Sequence, residues 1–236
     1  MLPIPQNCPE SVAAVQARIA RAASACGRNV DSITLVAVSK TQPAEAVLAA
    51  AHAGVEHFGE NYLQEALAKI EALRGQELTW HFIGQIQANK TRPIAEHFDW
   101  AHGVDRLKIA QRLSDQRPYH APPLKICLQV HIGGEASKGG VEPQELAALV
   151  REVKQLPRVE LRGLMCLPPA ETDIARQRHW FAETRAWFDR LNDDGAALDT
   201  LSMGMSADFE AAIYEGSTMV RVGSAIFGAR APRGEA

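Results

Sequence analysis

Short runs of β-branched and apolar residues recur along the chain, separated by longer amphipathic stretches. Eight such runs occur, at residues 33–38, 55–58, 79–83, 98–102, 124–130, 159–164, 198–202 and 218–222, each with the composition of a strand. The stretches between them carry a helical period. Leu63, Ala66, Leu67 and Ile70 fall at i, i+3, i+4 and i+7, and Leu146, Leu149, Val150 and Val153 repeat that spacing, so each segment presents one apolar stripe. Pro43, Asp105 and Pro143 stand where helices begin, while Gly54, Gly75 and Gly195 suit helix ends or turns.

Strands alternating with helices, preceded by a further helix around residues 10–25, predict an α/β fold: a single (β/α)8 TIM-type barrel with an extra N-terminal helix. A doubly wound open sheet shares this alternation and is the alternative. No linker or low-complexity segment divides the chain, so residues 1–236 read as one domain whose ends, MLPIP and APRGEA, are irregular.

Composition narrows the partners. The chain is 46% hydrophobic and 22% charged with a net charge of −3, and it has no long basic run to neutralise a nucleic-acid backbone. It opens without the basic flank and apolar run of a secretory signal, and no stretch reaches the roughly 20 apolar residues that span a bilayer. A cytoplasmic protein without nucleic-acid or membrane partners is expected. Cys8, Cys26, Cys127 and Cys166 form no C-x-x-C pair and have no metal-type spacing to a histidine, which predicts reduced, structural thiols. His52 and His57 bracket a turn and His97 and His102 a strand, so neither pair has helical ligand spacing and no metal is expected.

Several residues can carry chemistry. Lys40 follows the apolar run ITLVAV and stands at the carboxyl end of the first strand, the end where barrel chemistry sits; it either emerges into solvent or is desolvated enough to attack an aldehyde. The segments LSMGMSADF and VRVGSAIF follow the seventh strand and end the eighth. Their Gly204, Ser206, Gly223 and Ser224 either make tight turns or cradle a phosphate, which barrels often bind after strands 7 and 8. Arg221 is placed by strand alternation to point inward beside that phosphate, with a surface ion pair as the other reading. An arginine at a pyridine nitrogen donates a hydrogen bond and leaves the ring unprotonated, which weakens the electron sink of carbanion chemistry. His81 alternates with Trp80 and Phe82 and either faces the barrel mouth or packs in the core. Asn61 either contacts a ligand or caps the following helix. Asn89 and Lys90 offer a second anion site or a solvated helix start, and Asp208 with Glu210 more simply stabilise a helix N-terminus than perform acid–base work.

In order along the chain, AVSKTQP, FGENYLQE, WHFIGQIQANK, EASKGGV, RGLM, LSMGMSADFEAAI and MVRVGSAIFGAR strongly resemble the pyridoxal phosphate homeostasis protein family. The resemblance implies a barrel like the N-terminal domain of alanine racemase, with pyridoxal 5′-phosphate (PLP) held as a Schiff base on Lys40. It implies cofactor contacts at Asn61, at Ser206, Gly223 and Ser224 for the phosphate, at Arg221 for the ring nitrogen, and at His81. The chain departs from the family at His131-Ile132-Gly133, where Asn-Ile-Ser or similar is usual, and at Gly139, where a serine is frequent.

The function so implied is storage and delivery of PLP in vitamin B6 homeostasis, by a monomer that turns over no substrate and passes its cofactor to PLP-dependent apo-enzymes. The chain ends at residue 236, which leaves no room for the additional domain that supplies a racemase with its second acid–base group. The alternatives are a PLP-dependent racemase or decarboxylase, which needs a Tyr or Cys opposite Lys40, and a phosphometabolite barrel enzyme whose Lys40 forms no imine.

Overall fold

The computed structural model describes residues 8–134 and 139–228. Its strands are β1 Thr34–Val38, β2 His57–Glu60, β3 Thr79–Phe82, β4 Trp100–Val104, β5 Leu124–Val130, β6 Val159–Cys166, β7 Thr200–Ser202 and β8 Met219–Val222. Each pairs in parallel with its neighbours and β8 returns to β1, where Ala37 is opposite Val222. The sheet is therefore a closed barrel, which excludes the open alternative. Each observed strand lies, at both ends, within two residues of the run that predicts it.

A helix follows every strand: α2 Ala44–His52, α3 Leu63–Ala72, α4 Thr91–His97, α5 Leu107–Gln116, α6 Leu146–Val153, α7 Ile174–Asp193, α8 Phe209–Tyr214 and α9 Ser224–Phe227. The extra helix, α1 Cys8–Ala25, packs against α2, α8 and α9, over the seam where the first and last units meet. Its Val12, Val15 and Ile19 are buried there, and its Arg18 donates to Glu210 at 3.0 and 2.9 Å. Start signals act locally. Asp173 caps α7 by accepting from the Ala175 and Arg176 amides, and Pro43 is the residue before α2.

Two packing zones result. Between strands and helices lies the main core, which includes Phe58, Phe181, Phe209 and the α6 stripe of Leu146, Leu149, Val150 and Val153. Inside the barrel, Val36, Trp100, Cys127, Met165 and Met219 form a separate apolar cluster. Helix α3 departs from its expected stripe: Leu67 and Ile70 are only partly buried, and Lys69 lies on the buried face beside Leu63 and Ala66. The cause is a pair of carboxylates, Glu60 and Glu65, that meet the Lys69 ammonium.

Strand β6 needs a glycine where it meets β7. A Cβ on Gly163 would overlap the Thr200 carbonyl, a backbone group that cannot swing away. Gly163→Ala is expected to destabilise the fold by at least about 2–3 kcal/mol, measured by urea denaturation.

Candidate functional site

A cavity of about 490 Å³ opens at the carboxyl ends of the strands. Almost every strand delivers a residue to it from its last position or the loop beyond. Lys40 comes two residues after β1, Asn61 directly after β2, Gly84 and Gln85 after β3, and Asp105 directly after β4. Gln129 comes from the end of β5, Leu167 from just after β6, Ser206 from the loop after β7, and Gly223 and Ser224 from directly after β8. Arg221 projects from β8 itself, and the pairing of β1 with β8 brings Lys40 and Gly223 to one rim.

The backbone around Lys40 is held from both sides. The Ser39 amide donates to the Gly59 carbonyl at 3.0 Å, and Ser39 Oγ donates to Glu60 Oε1 at 2.6 Å. Lys69 Nζ donates to the Ser39 carbonyl at 2.7 Å, to Glu60 Oε1 at 2.7 Å and to Glu65 Oε1 at 2.6 Å. Glu65 Oε1 also accepts from the Thr41 amide at 2.5 Å, and Thr41 has φ +66°, a conformation that β-branched residues rarely adopt. One buried ammonium thus ties α3 to the residues on either side of Lys40. Burial pushes the Glu60 carboxyl up, and Lys69 pulls it back down.

The loop after β7 and the start of α9 face one another. Ser206 Oγ accepts from the Gly223 amide at 3.2 Å and from the Ala225 amide at 3.4 Å, so two backbone N–H groups converge on one point at the cavity wall. Gly204 permits the turn: its φ is +94°, and a Cβ there would lie 2.6 Å from Ala212 Cβ and 2.8 Å from Phe209 Cα. Asp208 Oδ1 accepts from the Met205 amide at 2.6 Å, and Glu210 pairs with Arg18, so neither carboxylate lines the cavity.

Arg221 is almost wholly buried. Its Nη1 donates to the Ser202 carbonyl at 2.5 Å and to Ser202 Oγ at 2.6 Å, and its Nη2 donates to the Cys166 carbonyl at 2.9 Å. His81 lies deeper, fully buried and outside the cavity lining. It stacks on Trp100 with ring centroids 5.5 Å apart and shares hydrogen bonds with His57 and His102, both at 2.9 Å. His102 Nδ1 in turn lies 2.8 Å from Ser202 Oγ. Burial holds His81 well below the usual histidine range and His102 down at about 3, so both rings are neutral.

The cavity therefore gathers Lys40, Asn61, Ser206, Arg221, Gly223 and Ser224, while His81 reaches it through His102 and Ser202. Asn89 and Lys90 belong to a 3-10 turn, Ala88–Lys90, away from its lining. Glu135 to Lys138 lie outside the described residues. Sequence reasoning missed Gln85, Asp105 as a lining group, Gln129 and the Glu60–Lys69–Glu65 cluster. Their sequence signal was a position at or just past a strand end, or, for Lys69, a charge on an otherwise apolar face. Asn61 Oδ1 and Glu60 Oε2 are buried with no hydrogen-bond partner among the described residues.

Comparisons with known proteins agree with this architecture. The family described as "Alanine racemase, N-terminal domain" matches residues 11–231. The pyridoxal phosphate homeostasis protein of Pseudomonas aeruginosa is 59% identical over 221 residues, covering 94% of this chain and 95% of the relative. That of Escherichia coli K12 is 50% identical over 223 residues, covering 93% and 95%. PipY of Synechococcus elongatus PCC7942, solved with PLP bound, superposes with a TM-score of 0.79 at 40% identity, covering 89% of this chain and all of that one. Alanine racemase from Corynebacterium glutamicum shares the fold alone, with a TM-score of 0.71 at 16% identity over 64% of its length.

Removing Lys69 leaves two carboxylates facing each other without their cation. Lys69→Met is expected to cost about 3–5 kcal/mol near neutral pH. Glu60 is already raised in the folded state, and losing the ammonium raises it further, so the folded variant binds the extra proton and its stability falls as pH rises. Urea denaturation should show the deficit shrinking as the pH is lowered from about 8 towards 5.

Proposed function

Because the chain belongs to the pyridoxal phosphate homeostasis protein family, we propose that it binds PLP as a Schiff base on Lys40 and stores and delivers it in vitamin B6 homeostasis. The observation that carries this reading is one cavity with a lysine at the end of β1 facing a cradle of Ser206, Gly223 and Ser224. The residues fit the cofactor on three counts. The converging amides of Gly223 and Ala225 are donors suited to a phosphate, at a position where a Cβ on Gly223 would come within 3.2 Å of the Val38 carbonyl. Asn61 carries a buried oxygen at the wall with no partner among the described residues, a group that a ligand donor would satisfy. Arg221 offers a fixed guanidinium edge from the floor.

When bound, PLP supplies an aldehyde that the Lys40 amine captures. The chain's own residues hold and orient it. Ser206, Gly223 and Ser224 take the phosphate, Asn61 meets the polar edge of the ring, and Arg221 faces the ring nitrogen. An arginine at that nitrogen donates a hydrogen bond and gives up no proton, so the ring stays a weak electron sink. No Tyr or Cys side chain lines the cavity among the described residues, so the opposing acid–base group of racemase chemistry has no candidate of those types. Both points favour holding the cofactor over turning over a substrate. On this reading the protein is a one-domain monomer that acts in the cytoplasm and passes PLP to apo-enzymes.

Purified protein loaded with PLP should be yellow, and borohydride should fix one pyridoxyl group on Lys40, read by peptide mass spectrometry. Protein that stays colourless with excess PLP would refute the reading. Lys40→Ala should lose stable loading and, with it, transfer to an apo-enzyme acceptor; transfer at the parental rate would exclude delivery through the Schiff base. Exchange of an amino acid's α-proton in deuterated water, lost in Lys40→Ala, would instead establish turnover.

A further inference from the structure

Five polar side chains form a continuous file through the barrel lumen: His57 on β2, His81 on β3, His102 on β4, Ser202 on β7 and Arg221 on β8. The file joins two cavities. Arg221 lines the cavity at the carboxyl ends of the strands, and half-buried His57 lines a second at their amino ends. The three members between them are fully buried, so their hydrogens must be shared among themselves.

Donor counting fixes the direction of the file. A guanidinium only donates, so Arg221 Nη1 places one hydrogen on the Ser202 carbonyl and the other on Ser202 Oγ. The hydroxyl's own hydrogen then has one acceptor among the described residues, His102 Nδ1 at 2.8 Å. The opposite arrangement, with His102 Nδ1–H donating, would leave that hydroxyl hydrogen buried and unpaired, a state folded proteins avoid. His102 is therefore protonated at Nε2 and donates to His81 Nδ1 at 2.9 Å. His81 likewise donates from Nε2 to His57 Nδ1 at 2.9 Å. His57 is left with an Nε2–H at the base of the barrel.

We propose that Ser202 and His102 are positioning residues for Arg221: the one-way file locks the guanidinium in place as a fixed donor to the cofactor ring, with His81 acting through His102. The role toward the ring rests on the PLP reading above. Among the described residues, three of the five guanidinium hydrogens are committed to the barrel wall through Ser202 and Cys166, and the side chain also lines the cavity. Reversing the file would need a proton on His57 Nδ1, and the surroundings resist it. At His57, burial and Lys125 oppose the charge while Glu56 and Asp99 favour it. At His81, burial, His102, His57 and Lys125 all oppose it, and at His102 burial and Arg221 do so.

The test begins on the protein without PLP. Long-range 1H–15N correlation spectra of histidine-labelled parent should show His57, His81 and His102 as neutral Nε2–H tautomers near pH 7. An Nδ1–H or charged form at His81 or His102 would overturn the file's direction, whether or not any variant folds. In Ser202→Ala, His102 should lose its single tautomer. PLP should still be reducible onto Lys40 but should leave about tenfold faster, the worth of one charge-assisted hydrogen bond. Ser202→Thr, which restores the hydroxyl, should recover both. A Ser202→Ala protein with the parental His102 tautomer and PLP release rate would overturn the positioning role. A parent that takes up no PLP would refute the cofactor reading and the ring-donor role, while the tautomer spectra would still decide the file.

Discussion

A guanidinium keeps its charge wherever it is placed, and here one is enclosed within the barrel. Arg221 can lose neither its proton nor its neighbours, so surrounding groups must accept from it. The carbonyls of Cys166 and Ser202 and the Ser202 hydroxyl do so. Groups that could oppose the charge by ionising remain neutral instead: burial pushes the Cys127 thiol up to about 12 and the Cys166 thiol up to about 11 even with the arginine nearby. The histidines behind Ser202 are neutral for the same reason. Among the described residues, the lumen thus meets its charge with dipoles and hydrogen bonds.

The wall next to Lys40 follows another rule. There the charges are paired: one buried ammonium between two carboxylates, with both neighbours of Lys40 tied to the cluster through backbone or hydroxyl groups. A pair of this kind adds little net stability, yet breaking it is costly, which suits a device that fixes geometry. The unusual backbone at Thr41 is retained because its amide has a carboxylate to meet. The two arrangements hold different ends of the same cavity, the lysine rim and the arginine floor, and neither requires the other to move.

The barrel was legible because its signals are local and repeat. Eight strand runs, the α6 stripe and the Pro43 start are each carried by a few adjacent residues, and all agree with one architecture. Lys40, Ser206, Gly223 and Ser224 could be read because they lie just past strands that the pattern already located. Other features were hidden because they depend on how strands tilt and neighbour one another. His57 and His102 read as flanks of a turn and a strand; only the side-by-side pairing of β2, β3 and β4 lines them up with His81. Lys69 drew no notice, since the carboxylate that buries it belongs to β2. Ser202 drew no notice because a serine in a strand is ordinary until an arginine is found beside it.

Pairing of β1 with β8 also sets an order of events during synthesis. Lys40 leaves the ribosome early, whereas Gly223 and Ser224 are among the last described residues to be made, and the pairing of β1 with β8, which ends on Ala37 opposite Val222, brings them to one rim. A nascent chain that lacks β8 has Lys40 but neither Arg221 nor the Gly223–Ser224 turn. The wall of the cavity is therefore complete only once the last strand has closed on the first, and until then its earliest-made residue stands without its latest-made neighbours.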